Sequence, residues 1–325
     1  MRRALAAMLG LAAVGAAAVA LASDRGDDGA AAARFDRWVP LRSAPMARTE
    51  VAAARVGGSI YVVGGFVRAA NATTAAVERY DIARNRWTRV RDMPVGLNHP
   101  AAVAYAGSLY VLGGYTADAT LAGETDAFLR YDPARNRWSR MPRMPTRRAA
   151  LAVGAIGDRI YAAGGAASSG ATFKHLEVFD LGTRRWTRGP DMAVPREHVA
   201  GAVSEGAFYV LGGRPGNLAV AERYVPRLRR WQRVADLRTP RSGIAAATVG
   251  RLVVTFGGET GQGTIRPVEA FDPRTGRWRA LPGMRTPRHG LGGASMGRRV
   301  YALEGGPQPG FAFSNALEVL DVRGG

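Results

Sequence analysis

Short apolar runs ended by glycine take turns along this chain with stretches in which apolar and charged residues alternate one by one. Residues 51–56 and 60–63 are two such apolar runs; Val77-Glu78-Arg79-Tyr80 alternates, and Asn85-Arg86-Trp87-Thr88-Arg89 alternates again. Apolar runs this short, and a period of two, both predict strands when glycine and polar residues bound them. One unit of the pattern therefore holds four strands.

The unit recurs at a spacing of 45–51 residues, marked by glycine pairs at Gly64-Gly65, Gly113-Gly114, Gly164-Gly165, Gly212-Gly213, Gly257-Gly258 and Gly305-Gly306. All six tryptophans (Trp38, Trp87, Trp138, Trp186, Trp231 and Trp278) belong to it. A four-stranded unit buries both of its faces only by stacking on neighbours, so the units form one array. Asp132-Pro133 and Asp272-Pro273 set type I turns before the tryptophan strands, through a side-chain hydrogen bond and a preset φ. The fourth unit reads Tyr224-Val225-Pro226 without the aspartate, which predicts a looser turn. The first strand of each unit is rich in alanine and glycine, as strands converging on an axis require.

The order of glycine pair, Glu-x-Tyr-Asp-like strand, tryptophan, then Met-Pro and arginine resembles the kelch repeat, and the resemblance spans about residues 35–322. It implies an all-β fold, a six-bladed β-propeller with four antiparallel strands per blade. The chain enters on Arg37-Trp38-Val39-Pro40-Leu41 without a preceding glycine pair and ends on Leu317-Glu318-Val319-Leu320-Asp321 without a following tryptophan strand. The N-terminal strand is thus expected to close the last blade and leave no open ring edge.

Arg2-Arg3, the apolar run 4–22 and Ala20-Leu21-Ala22 before Ser23 have the three parts of a secretory signal peptide, with an uncleaved anchor as the alternative. Residues 1–22 are read as that signal, 23–34 as a flexible spacer and 35–325 as the propeller. The protein is accordingly expected to be exported, periplasmic, extracellular or attached to the envelope, in the manner of bacterial exported kelch proteins. Without cysteine there is no disulfide framework, no thiol nucleophile and no thiolate metal site.

The formal net charge is +19, and of 45 basic residues only Lys174 is not arginine. Such a bias, with abundant alanine and glycine, reads first as GC-rich coding. Arg86, Arg89, Arg137, Arg140, Arg185 and Arg188 flank tryptophans on the outermost strands, where charge blocks edge-to-edge pairing. The same belt offers a peripheral contact with an anionic envelope. Nucleic acid is not expected as a partner, because no aromatic and basic residues share one loop as a stacking platform. A monomer is expected.

Candidate chemistry lies in the loops entering the inner strands, which a propeller gathers around its channel mouth. Equivalent positions there hold Arg48, Leu97, Arg148 (or Arg147), Arg196, Arg241 and Arg288. The kelch resemblance makes these arginines candidates for lining a pocket for acidic ligands, or for bonding backbone carbonyls of a neighbouring blade. Two residues further on stand Glu50, His99, an alanine, His198, Gly243 and Gly290, and such variation points to an asymmetric pocket rather than to the shared fold. His99, His198 and His289 invite a metal site, but strand alternation turns His289 to the opposite side, so no metal and no cofactor is expected. Phe66, Tyr115, Arg214 and Glu259 follow the glycine pairs on the same face. Glu304 interrupts the sixth pair, either as a bulge or in a glycine's place. Phe311-Ala312-Phe313 offers a contact in the last long loop, against packing onto its own blade.

These features favour a binding protein that recognises an anionic ligand, whether an acidic glycan, a cell-wall polymer or a protein segment. Arg48, Arg196, Arg214, Arg241 and Arg288 would hold it, Glu50, His99 and His198 would select it, and Tyr115 joins them as a ligand-binding candidate. One alternative is a sugar epimerase or mutarotase resembling N-acetylneuraminate epimerase, with Glu50, Glu259 or Glu304 as acid or base. Another is a scaffold for several partners. Galactose oxidase chemistry is excluded, since its cofactor needs a cysteine.

Overall fold

The computed structural model describes residues 36–323; the segments read as signal peptide and spacer lie outside them. The described chain is all-β, with six four-stranded antiparallel sheets. The first blade runs outward from Ala52–Val56 through Ser59–Val63 and Val77–Asp81 to Arg86–Arg89. Each following blade repeats that order, and neighbouring inner strands touch all the way round, Gly292–Met296 of the last blade returning to Ala52–Val56 of the first. The architecture is a β-propeller. Small residues are obligatory at its centre: a Cβ on Gly292 would come within 2.6 Å of the Ala53 Cβ in the next blade.

The ring closes as the chain ends foretell. Val39–Pro40 pairs antiparallel with Leu317–Asp321, in register Val39 to Val319 and Pro40 to Glu318, so the last blade is built from both ends of the chain. The tryptophans then stitch one blade to the next. Every indole Nε1 donates to a backbone carbonyl of the preceding blade, from Trp38 to Pro282 (2.9 Å), Trp87 to Arg42 (2.7 Å), Trp138 to Arg91 (2.9 Å) and so on through Trp186, Trp231 and Trp278. A large apolar ring with one donor suits a seam that is dry on one side and ends in a carbonyl.

Two local expectations change. The turn of the fourth blade is not loosened: Pro226–Leu228 forms a short 3-10 turn closed by Arg229 in the left-handed region, replacing the aspartate-capped turn of Asp81, Asp132, Asp180 and Asp272. Glu304 makes no bulge. Its N–H donates to the Ala316 carbonyl as that of Gly64 donates to Ala76, and its φ of 55° matches the 65° of Gly64. In structural register the sixth pair is therefore Glu304-Gly305, and Gly306 stands where Phe66 and Tyr115 stand.

Candidate functional site

The loops that enter the inner strands share one backbone device. Glu50, His99, Ala150, His198, Gly243 and Gly290 all have positive φ, between 51° and 61°. The N–H of His99 donates to the Glu50 carbonyl, Ala150 to His99, His198 to Ala150, Gly243 to His198 and Gly290 to Gly243, at 2.9–3.0 Å. Val51 closes the circle on the Gly290 carbonyl at 3.2 Å. A ring of peptide hydrogen bonds thus crowns the channel. Four of its members are not glycine, and each bears the strain of a left-handed residue, about 1–2 kcal/mol.

Just outside this ring, the residue before each member pairs with the residue after each glycine pair: Thr49 with Phe66, Asn98 with Tyr115, Ala149 with Ala166, Glu197 with Arg214, Ser242 with Glu259 and His289 with Gly306. These pairings fix which side chains meet. Arg214 reaches Glu197 at 3.2 Å, and His289 is admitted because Gly306 has no side chain, a Cβ there falling 2.6 Å from its Nε2.

Together they enclose a cavity of about 210 Å³, lined chiefly by Glu50, His99, His198, His289, Glu259 and Arg214, with Phe66, Leu121 and Phe311 as its apolar side. Glu50 lies at the centre. Its Oε2 is 3.1 Å from His99 Nε2 and its Oε1 accepts from His289 Nδ1 at 3.1 Å. A Cβ on Gly290 would lie 2.5 Å from the Glu50 carboxyl carbon, so the carboxylate occupies room that only glycine leaves. His99 Nδ1 is 2.7 Å from the Asn98 amide oxygen, and His198 Nδ1 is bonded to the Glu197 carboxylate. The His99 and His198 rings meet edge to face with centroids 4.7 Å apart.

Charge is divided unevenly within this cluster. Burial opposes ionisation of Glu50, but the neighbouring His99 and His289 outweigh it and hold the carboxyl well below its usual range. Burial drives His99 down to about 3 despite Glu50. His289 moves the other way, because its hydrogen bond to Glu50 and the charges of Glu50 and Glu259 overcome burial. For Glu197, burial is likewise outweighed, by its bond to His198 and by Arg214, and the carboxyl is lowered.

Of the residues named from sequence, the structure brings Glu50, His99, His198, Arg214 and Glu259 to this one cavity. Tyr115 is 1% exposed and stands behind His99, ring to ring at 5.7 Å. The arginine ring is corrected. Arg48, Arg148, Arg196, Arg241 and Arg288 are fully buried, and each pairs within its own blade, with Glu78, Glu177, Glu222, Glu269 and Glu318 respectively, at 2.7–3.4 Å. Their guanidinium groups also bond carbonyls, such as Gly64 and Ala76 for Arg48. They support the loops and do not line the cavity. Glu304 is also fully buried, bonded through both oxygens to Arg48 at 2.8 Å, and so is no acid or base for a bound ligand.

His289 is corrected in the opposite sense. Alternation assumed a strand, but the left-handed residue that follows, Gly290, reverses the chain direction and turns His289 inward. The same effect brings in Glu197 and Asn98, which sequence reasoning missed for want of any sign of positive φ at His198 and His99. Phe311 and Phe313 part company: Phe313 is buried beneath Arg68, whereas Phe311 is 47% exposed and packs edge-on to Phe66 of another blade.

The repeat geometry has counterparts among known proteins. The family model for the KLHDC2/KLHL20/DRC7 Kelch-repeats domain matches residues 50–235, and the Kelch motif model matches residues 240–285. The chain belongs to the kelch-repeat family. Kelch-like protein terF of Aspergillus terreus is 33% identical over 188 residues, 54% of this chain and 41% of that protein. Human Kelch-like protein 34 is 36% identical over 88 residues, 27% of this chain and 14% of its own length. Arabidopsis thaliana F-box/kelch-repeat protein At1g67480 is 29% identical over 97 residues, 30% of this chain and 26% of its own. This chain matches less than half the length of each of these kelch relatives.

Proposed function

We propose that this kelch propeller is a binding protein that receives an acidic protein segment at its channel mouth, with an apolar side chain of the partner set against Leu121, Phe66 and Phe311. One observation carries this reading: Leu121 and Phe311, 43% and 47% exposed, are two of the four exposed large apolar side chains among the described residues, and both line the same cavity. Apolar anchors beside a recessed polar pocket are the usual centre of a protein-binding surface. The preference for acidic partners rests on the net charge of +19 and on Arg68 and Arg147, on loops beside the cavity, since Arg214 at the cavity is already paired with Glu197. The outer belt contributes less, because Arg89, Arg188 and Arg233 are held by Asp92, Asp191 and Asp236.

Peptides selected from a displayed library on the wild-type protein supply the test. Phe311→Ala and Leu121→Ala are each expected to weaken the selected peptides about tenfold or more, while Leu228→Ala, on the fourth blade's outer turn, leaves them unchanged. Equal loss in all three variants, or none in Phe311→Ala, overturns the reading. Export, inferred from Arg2-Arg3 and the apolar run 4–22, places such a partner outside the cytoplasm. Recovery of the native protein from the cytosol with Met1 still present would refute that part.

A further inference from the structure

Glu50, His99 and His198 come from the first, second and fourth blades, yet one ligand atom from each lies within 4.8 Å of the other two. The His99 Nε2 to Glu50 Oε2 separation of 3.1 Å is close to the edge of a metal tetrahedron, about 3.3 Å for bonds of about 2.0–2.1 Å. The side of each group that faces away from this point is already held. His99 presents Nδ1 to the Asn98 amide oxygen, His198 presents Nδ1 to the Glu197 carboxylate, and Glu50 accepts on Oε1 from His289. Supporting groups of this kind, which fix a ligating imidazole by its far nitrogen and leave Nε2 free, are characteristic of metal centres. Three strained backbone positions are kept to aim these three side chains, although glycine serves at two equivalent places in the same ring.

We propose that Glu50, His99 and His198 form a divalent transition-metal site at the floor of the channel-mouth cavity. Two imidazoles and one carboxylate suit zinc and its first-row neighbours better than calcium or magnesium, which take oxygen donors. The remaining coordination position faces the cavity, open to water or to a donor atom on a bound ligand. This site stands independently of the peptide-binding reading.

The test uses untagged full-length protein, freed of metal by a chelator and titrated with Zn²⁺ and, separately, with Co²⁺. One metal ion per chain is expected, with Co²⁺ giving the visible absorption of nitrogen-ligated cobalt. His99→Ala and His198→Ala are expected to abolish it. Glu197→Gln, which keeps the ligands and alters only their support, is expected to weaken it about 10–100-fold. Circular dichroism of each variant establishes that the propeller remains folded, and Leu228→Ala, on the fourth blade's outer turn, retains full metal binding. Absence of stoichiometric binding in the wild type overturns the proposal, as does binding that survives in a folded His99→Ala, His198→Ala double variant. Titrating peptide in the presence of chelator separates the outcome from that of the binding reading.

Discussion

Leu97 and Leu129 stand in the second blade where an arginine and a glutamate stand in each of the other five, and both are buried in one apolar cluster. The fold thus contains its own comparison between a buried ion pair and an apolar pair at equivalent positions. Burying two charges costs several kcal/mol each before their attraction is counted, so an apolar pair of similar shape holds as well.

The Arg148 and Glu177 pair of the third blade is the place to repeat that exchange, since Arg148 Nε and Nη1 make no hydrogen bond. Glu177→Leu alone is expected to cost about 3–5 kcal/mol, because it strands a buried cation. Arg148→Leu with Glu177→Leu is expected to restore stability to near wild type or above. Urea denaturation of the three proteins measures both.

Glu304 makes stability depend on pH. Burial, opposed by the bond to Arg48, raises its carboxyl to about 7, against 4.5 for the free group. The folded state therefore holds this proton more tightly than the unfolded chain. Its contribution is complete below about pH 4.5 and is lost as pH rises through about 7, about 3 kcal/mol in all. Glu304→Gly, which restores the residue found in the other five blades, is expected to flatten the stability profile across that interval. A wild-type profile that rises with pH there would contradict this origin.

Gly290 and Gly243 have the same φ sign but different surroundings. A Cβ at position 243 finds its nearest neighbour, His289 Cβ, at 3.3 Å, whereas at position 290 it strikes the Glu50 carboxyl at 2.5 Å. Gly243→Ala should cost about 1 kcal/mol from backbone strain alone, and Gly290→Ala about 1–3 kcal/mol more. Thermal melts at one pH rank the pair.

Removing the strand that closes the ring has a larger effect. Deletion through Leu41 takes away Val39–Pro40, the buried Trp38 ring and its bond to Pro282, leaving Leu317–Asp321 as an open edge. The shortened protein is expected to melt at a markedly lower temperature and to self-associate through that edge, as size-exclusion chromatography would show.

The blades were legible because glycine pairs and tryptophans are tied to fixed backbone events, a left-handed corner and an inter-blade seam. The strand that joins both chain ends was legible for the same reason, as the missing parts of one unit. The cavity was legible only in part. Counting by twos located Glu50, His99 and His198 but misjudged His289, since a left-handed residue has no mark in the sequence when it is glutamate or histidine. The arginines misled for another reason: Glu78 and its counterparts were visible in the third strands, but nothing along the chain shows that the two meet in the interior.

The circle of peptide bonds at the channel mouth has a consequence for how such proteins diversify. Each of its six corners is held by main-chain atoms alone, so the side chain mounted there can be exchanged without disturbing the circle. The corners are not independent, however. The Glu50 carboxylate fits because Gly290 carries no side chain, a Cβ there falling 2.5 Å from it. The crown behaves as a combination lock with six wheels, in which the bulky setting at 50 obliges the wheel at 290 to stay blank.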